Sequence, residues 1–463
     1  MIPLVEEVLC PSFEDLFSVL PLEGSIFLDS ATQSHPQGKY SFIAFDPFYI
    51  LNSHTLSGSP FLALKAELEK YSLTCHPDLP PFQGGAAGWF GYELGGYLEK
   101  LPQPKRDDLG FPKLLLGFYD LVIACDHHQH KTWLFSSGMP EQGEKQKIRA
   151  QKRMHWALQL LEKIKPLPPI SSQIIPDDAI TSTFTKKEYE QAVERVIEYI
   201  RAGDIFEANI SQRFSGTLPA ELTAFELYRR LRRCNPAPFS AFAQFDQYKI
   251  ASASPERFLQ LKNHRVETRP IKGTRKRNLN SPVEDKALAE ALASSDKDRA
   301  ENVMIVDLMR NDLSRVCLPH SVMVPALCQV ESFATVHHLV STVSGQLKPN
   351  LSVLDLLQAT FPGGSITGAP KIRAMEIIAE LEPTARGPYC GSIGYLGFNG
   401  DMDLSITIRT FAIRDNFVTF QTGGAVTVDS DPDDEFQETL AKAQGLFRAL
   451  QNIPNAVQDA KHS

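Results

Sequence analysis

The stretch ITIRTFAIRDNFVTFQT, residues 406–422, contains two β-like runs around a short polar turn. Residues 406–413 and 417–422 are rich in β-branched and aromatic side chains, which favour strands. A second pair of runs, residues 258–261 and 266–268, flanks another polar turn in the same way. Because a hairpin joins two antiparallel strands, both stretches predict antiparallel sheet.

Long helices are interleaved with these hairpins. Thr185 and Glu188 have the spacing of a capping box, and Gly203 marks the end of the helix that they begin. Further helices are predicted over residues 295–315 and after Asp431, which can act as an N-cap. Hairpins that alternate with long helices favour an α+β fold built on antiparallel sheet.

Composition excludes several classes of protein. The chain has 463 residues, of which 43% are hydrophobic and 22% charged, and its formal net charge is −8. This mild acidity argues against nucleic acid or an anionic membrane as the main partner. The most apolar run, residues 114–125, is too short to span a membrane. Seven scattered cysteines without a CxxC pair predict reduced thiols, so we expect a cytoplasmic protein.

One linker-like segment divides the chain. Residues 166–183 are rich in proline and serine, which is typical of a linker. We therefore expect an N-terminal region over residues 1–165, a larger unit over residues 184–455 and a tail over residues 456–463.

Lys272 is the first candidate for chemistry. It lies in PIKGT, residues 270–274, where the preceding strand should end at Pro270 and Gly273 should form a turn. Four basic residues are close to it in sequence: Arg269, Arg275, Lys276 and Arg277. We expect their charges to lower the pKa of Lys272 toward that of a nucleophilic amine. The charge pattern alone, however, favours a solvated basic loop.

Acidic side chains on two predicted helices are candidates for a metal site. Glu301 lies on an apolar helix face, so we expect it to bind a cation or to pair with Arg299 or Arg310. On the helix after Asp431, three charged residues share one face: Glu435, Glu438 and Lys442. Carboxylate oxygens suit Mg²⁺, although the helix dipole also favours acidic residues in a first turn.

Two glycine-rich segments, residues 362–371 and 422–425, could direct backbone N–H groups at a carboxylate. Thr367, Lys371 and Arg409 would add side-chain donors. Neither segment has the order of a P-loop, and ordinary turn glycines are the simpler interpretation of either one alone.

Together these segments resemble the chorismate-utilising enzymes, a family that includes anthranilate, aminodeoxychorismate, isochorismate and salicylate synthases. The resemblance covers residues 185–450 in the family's order, and FLDS, YSF and PFQGG extend it into the N-terminal region. It implies a composite fold of two subdomains, in which large antiparallel sheets form a sandwich with helices on the outer faces.

The resemblance also implies a role for each candidate. Lys272 would attack C2 of chorismate while Glu256 protonates the departing C4 hydroxyl. A Mg²⁺ ion would have three ligands: Glu301, Glu435 and Glu438. The substrate would contact Thr274, His338, Thr367, Lys371, Tyr395, Arg409, Gly423, Gly424 and Lys442.

Lysine within PIKGT is similar to the aminodeoxychorismate branch, in which ammonia adds at C4 for 4-aminobenzoate and folate synthesis. Anthranilate synthase component I, which usually has alanine there, is the alternative. Glu207 and Ala425 depart from that branch, which usually has glutamine and glycine. The chain has no glutaminase nucleophile motif, so we expect ammonia from a separate glutamine amidotransferase subunit. Ser30 and Tyr40 match part of a tryptophan pocket that some members of the family have.

Overall fold

The computed structural model describes residues 2–10, 12–32, 35–333 and 336–452. The helices of these residues are α1 (Phe13–Val19), α2 (Pro60–Leu68), α3 (Gly143–Leu161), α4 (Lys186–Ala202), α5 (Ala224–Cys234), α6 (Pro282–Ala293), α7 (Asp296–Val316), α8 (Val353–Thr360), α9 (Lys371–Leu381) and α10 (Pro432–Leu450). Their strands are β1 (Leu4–Val8), β2 (Ser25–Asp29), β3 (Tyr40–Ala44), β4 (Tyr49–Asn52), β5 (Gly85–Phe90), β6 (Leu114–Tyr119), β7 (Leu121–Asp126), β8 (Lys131–Ser136), β9 (Thr181–Ser182), β10 (Glu207–Thr217), β11 (Phe239–Phe245), β12 (Tyr248–Ser254), β13 (Arg257–Lys262), β14 (Arg265–Thr268), β15 (Ile271–Lys276), β16 (Met323–Ser332), β17 (Val336–Gln346), β18 (Gly368–Ala369), β19 (Ser392–Gly397), β20 (Met402–Ile406), β21 (Thr410–Arg414) and β22 (Phe417–Val426).

The predicted hairpins and helices are present. β13 pairs with β14, and β21 pairs with β22, each across a short turn. The second hairpin begins later than expected, because Arg409 has a φ of 53° and interrupts the extended backbone before Thr410. Helix α4 has the predicted capping box and ends at Gly203 with a φ of 86°. Asp431 caps α10 by accepting the N–H groups of Asp433 and Asp434.

Two antiparallel sheets form the frame. The first has twelve strands, with β1 at one end and β18 at the other, and the second has ten, with β15 and β4 at its ends. Both sheets contain strands from either side of residues 166–183, since β2 pairs with β11 and β5 pairs with β19. The fold is therefore composite, while the domain boundaries given above remain a prediction.

The hydrophobic core has layers on both sides of each sheet. The inner layer contains Trp89 of the second sheet and Ile250 of the first, and helices contribute none of its described residues. The outer layers pack helices on the sheets, as Leu446 of α10 does on Phe420 and Ile305 of α7 does near Leu404. This is the predicted sandwich with helices on its outer faces. None of the described helices has the length and apolarity needed to cross a membrane.

Candidate active site

Lys272 and Glu207 form a buried ion pair that joins the two sheets. Glu207 begins β10 of the first sheet, and Lys272 lies on β15 of the second. Lys272 Nζ donates to Glu207 Oε1 at 2.5 Å. The side chains are only 7% and 1% exposed, which excludes the solvated-loop interpretation of Lys272. The predicted turn at Gly273 is instead a bulge with a φ of 82°, at which the pairing of β15 with β17 shifts register.

The expectation of a lowered pKa for Lys272 is wrong. Burial by itself lowers the pKa of this amine, but the charges of Glu207, Glu301 and Glu256 outweigh burial and raise it. The largest influences on the pKa of Lys272 include none of its basic neighbours, three of which pair with carboxylates. Arg269 pairs with Glu331, Arg275 with Asp298 and Arg277 with Asp285, while Lys276 is exposed.

Glu256 has the properties of a general acid at neutral pH. It lies in the loop between β12 and β13 and is 4% exposed. Burial raises the pKa of its carboxyl group to about 7, although a hydrogen bond from Ser365 and the charge of Lys272 favour the ionised form. Ser365 Oγ donates to Glu256 Oε1 at 2.6 Å. A substantial fraction of Glu256 is therefore protonated near pH 7.

Glu301 of α7 faces the Lys272–Glu207 pair. Burial raises the pKa of Glu301 to about 7, with Lys272 opposing the shift and Glu207 adding to it. The arginine pairing considered from the sequence does not form among the described residues. Arg310 binds Asp307 at 2.8 Å, and Arg299 donates to a backbone carbonyl.

Glu435 and Glu438 of α10 lie against Gly424 of β22. Burial raises the pKa of Glu435, and the nearby charge of Glu438 adds to the shift. Glu435 Oε1 accepts from Ser430 at 2.7 Å, whereas its buried Oε2 has no hydrogen-bond partner among the described residues. A Cβ at Gly424 would lie 2.5 Å from that Oε2, so any larger residue here would require the Glu435 carboxylate to move. The neighbouring residue, Ala425, replaces the glycine that is usual in the family. Its φ is outside the left-handed region, so this position does not require glycine.

Lys442 closes the other side of this acidic group. Its Nζ lies 2.6 Å from Glu438 Oε1 and donates to the carbonyl of Gly423 at 2.9 Å. The charge of Lys442 lowers the pKa of Glu438. Within residues 2–10, 12–32, 35–333 and 336–452, no three His, Cys, Asp or Glu side chains already converge as a metal site.

Arg409 is the candidate for binding an anion. Burial lowers the pKa of its guanidinium, and no described carboxylate offsets that effect. The charge of Arg409 also acts on His338, whose pKa is lowered to about 3, mainly by burial. His338 is therefore neutral at pH 7, and its Nδ1 lies 2.8 Å from Thr274 Oγ1. A half-buried cation that has no counter-ion among the described residues and lies beside neutral polar groups suits a carboxylate ligand.

The remaining candidates are engaged elsewhere in the fold. Thr367 Oγ1 donates to the carbonyl of Gly363 at 3.0 Å within its own turn. Lys371 binds Asp312 at 2.5 Å, and burial lowers the pKa of its amine. Tyr395 stacks on Phe82 at 4.4 Å in the inner core layer.

The candidate tryptophan residues lie beside that inner layer. Tyr40 packs against it and lies 5.9 Å from Phe42, ring to ring. Ser30 Oγ donates to the carbonyl of Tyr40 at 2.7 Å. Ser30 and Tyr40 are thus adjacent.

Two contacts of the candidate site could not be predicted from the sequence. Glu207 departs from a family pattern, but nothing in the sequence indicates its pairing with Lys272, 65 positions away. The contact of Ser365 with Glu256 is not indicated either, and it spans 109 positions. Only a correct three-dimensional arrangement of the two sheets brings these residues together.

Comparison with known proteins finds relatives along most of the chain. The family model for chorismate binding enzymes matches residues 23–448. Aminodeoxychorismate synthase component 1 of Salmonella typhimurium is 40% identical over 445 residues, with 93% of this chain and 94% of that protein covered. Anthranilate synthase component 1 of Thermus thermophilus is 43% identical over 378 residues, with 81% and 79% covered.

A solved structure extends the likeness to the fold. The crystal structure of anthranilate synthase component I from Streptococcus pneumoniae matches with a TM-score of 0.79 and 33% identity, over 89% of this chain and 92% of that one. Family model, relatives and fold all agree, and the chain belongs to the chorismate binding enzymes.

Proposed function

We propose that this chain is an aminodeoxychorismate synthase component 1, which aminates chorismate at C4 and supplies 4-amino-4-deoxychorismate for 4-aminobenzoate and folate synthesis. The observation that carries the proposal is the buried Lys272 amine, held at 2.5 Å by Glu207 and facing Glu256. A lysine nucleophile beside a protonated acid can replace one difficult displacement by two easier ones. The 40% identity to enzymes of that name supports the same assignment.

In the first half of the reaction, the Lys272 ammonium gives a proton to Glu207 Oε1, the acceptor 2.5 Å away. The neutral amine forms a bond to C2 as the C4–O bond breaks. The oxygen leaves as water with the proton of Glu256.

In the second half, ammonia forms a bond to C4, and the C2–N bond breaks with its electron pair returning to Lys272. Glu207 gives the proton back to Lys272, and Glu256 takes one from the new C4 ammonium. The sum is chorismate plus ammonia giving aminodeoxychorismate plus water.

Mg²⁺ would be held by carboxylates of α7 and α10. The unpartnered Oε2 of Glu435 and the space at Gly424 are the features that suit a cation there. Glu435 and Glu438 would hold it with Glu301, and substrate oxygens or water would complete its ligands. When bound, Mg²⁺ would draw charge toward the ring carboxylate of chorismate.

Other side chains would hold the substrate's carboxylates. Arg409, with no described counter-ion, would bind one of them together with the Gly424 N–H. Thr274 and neutral His338 would add hydrogen bonds beside Arg409. For Lys371, Thr367 and Tyr395 the proposed substrate contact requires rearrangement, since each is engaged elsewhere.

We expect a separate glutamine amidotransferase subunit to supply ammonia, as the component 1 name of the relatives supports. Ser30 and Tyr40 are the proposed wall of a tryptophan pocket. A cytoplasmic location is consistent with the cysteines, which form no disulfide among the described residues.

Anthranilate synthase component 1 is the second candidate, because a relative of that name is 43% identical. The two candidate functions are distinguished by incubating the purified chain with chorismate, Mg²⁺ and ammonium, with or without an aminodeoxychorismate lyase. We expect 4-aminobenzoate only when the lyase is present. Fluorescent anthranilate formed without the lyase would support the second candidate instead.

A further inference from the structure

Strand β10 carries two buried oxygen acceptors that have no donor. Glu207 Oε2 and Asn209 Oδ1 are both inaccessible, and neither has a hydrogen-bond partner among the described residues. The two residues are 1% and 8% exposed. A buried acceptor without a donor is unfavourable, so each of the two oxygens calls for a ligand that can donate to it.

The two acceptors belong to one face of the strand. Residues 207 and 209 alternate with 208 along β10, so their side chains point to the same side of the sheet. The backbone of Asn209 is already satisfied, since its N–H donates to Thr367 and its carbonyl accepts from Arg386. Ser211, the next residue on this face, has its hydroxyl bound to Glu382 at 2.8 Å. On this face of β10, the acceptors without a donor therefore lie at the end of the strand nearest Lys272.

The chemistry of this pair favours a ligand rich in donors. Ammonia carries three N–H groups, and holding it through them leaves its lone pair free for attack, whereas water would bring acceptors as well as donors. The carboxylates that surround Lys272 also favour a nitrogen ligand over an anion. They come from β10, the β12–β13 loop, α7 and α10: Glu207, Glu256, Glu301 and Glu438.

We infer that Glu207 Oε2 and Asn209 Oδ1 form the binding site for the ammonia that attacks the substrate, while Glu207 Oε1 holds Lys272. This inference rests on the proposed amination. The carboxylate of Glu207 would then bind both nitrogens that react in turn, the amine of Lys272 through Oε1 and ammonia through Oε2.

The test is steady-state kinetics of the full chain with chorismate and Mg²⁺, with ammonium chloride varied as the nitrogen source. Asn209→Ala should raise the KM for ammonium about 3–10-fold, the loss of one hydrogen bond, with kcat and the KM for chorismate within about twofold. Asn209→Asp keeps an acceptor oxygen and should leave the KM for ammonium at or below that of the wild type. Ser211→Ala is the matched control, since it removes a satisfied hydroxyl from the same strand face and should not change the KM for ammonium.

The outcomes separate this inference from the proposed function. An unchanged KM for ammonium in Asn209→Ala overturns the ammonia site, as does an equal rise in both KM values or an equal effect of Ser211→Ala. If the wild-type chain forms no aminated product from ammonium, the proposed function fails and the ammonia site fails with it.

Discussion

At Lys272, burial and charge act on one amine in opposite directions, and charge prevails. The amine is protonated at rest and must lose its proton within the ion pair before it can react. The proposed attack by Lys272 therefore needs a proton acceptor in contact with its amine, which Glu207 provides, and basic neighbours in the sequence do not supply one.

Lys272→Ala should reduce formation of aminodeoxychorismate from ammonium by about 10³-fold or more, because the covalent route is lost. Lys276→Ala, on the same strand but exposed, is the control and should remain active. Product is measured as lyase-dependent 4-aminobenzoate. Comparable activity of the two variants would exclude Lys272 as the nucleophile.

Glu256 should set the alkaline side of the pH profile. In the proposed reaction it acts as an acid, and its pKa is about 7, so kcat/KM for chorismate should fall as pH rises through 7. Ser365→Ala removes a hydrogen bond that favours the ionised form, so the pKa of Glu256 should rise and the fall should move to higher pH. Ser136→Ala, which removes a buried hydroxyl bound to Ala150, should leave the profile in place. An unshifted profile in Ser365→Ala would contradict the role of Glu256.

Glu256 should also lower stability at alkaline pH. Its pKa is raised from 4.5 in the unfolded chain to about 7 in the fold, so its stabilising contribution is present below 4.5 and is lost as pH rises through 7. Glu256→Gln should therefore be more stable than the wild type by about 1–3 kcal/mol at pH 8, and this advantage should vanish at pH 4. Urea unfolding at pH 8 and at pH 4 measures this difference in the free energy of unfolding. If Glu256→Gln were less stable than the wild type at pH 8, interactions in the fold would outweigh the cost of burying the ionised Glu256 carboxylate.

At the scale of elements, the approach of α10 to β22 shapes the acidic group. Gly424→Ala would place a Cβ 2.5 Å from Glu435 Oε2, and the carboxylate would have to move. We expect the Mg²⁺ concentration for half-maximal activity to rise about 10-fold or more, the equivalent of about 1.4 kcal/mol. Ala425→Gly restores the glycine that is usual in the family at the neighbouring position and serves as the control. It should change this Mg²⁺ concentration by less than about twofold. Equal effects of the two variants would contradict this account.

Local sequence signals predicted the elements well and the contacts between them poorly. The capping box of Thr185 and Glu188 and the N-cap Asp431 act within three or four residues, so the sequence contains all that they need. The raised pKa of Lys272 depends on Glu207, which belongs to a strand of the other sheet. Resemblance to a family predicts Glu256 as a general acid, and only the fold gives the physical reason for its raised pKa, which is its burial.

At the scale of the molecule, the two sheets are each shared by both sides of the proline-rich segment. The pairing of β2 with β11 and of β5 with β19 means that neither side completes its own sheets. The site depends on this arrangement, since Glu207 comes from one sheet and Lys272 from the other.

A cut within the exposed residues 172–174 should therefore leave the two fragments associated. We expect a protease site inserted there to give a nicked protein that elutes as one species and unfolds in a single transition. The same site inserted without cleavage is the control. Separation of the fragments in the absence of denaturant would show that the two sides fold as independent units.

The most direct test of the central claim is the position at which nitrogen enters the ring. The purified chain would be incubated with chorismate, Mg²⁺ and ¹⁵N-ammonium, and the product examined by nuclear magnetic resonance. The account predicts ¹⁵N bonded to C4 of a product that retains its enolpyruvyl group. Nitrogen at C2 with loss of pyruvate would contradict it.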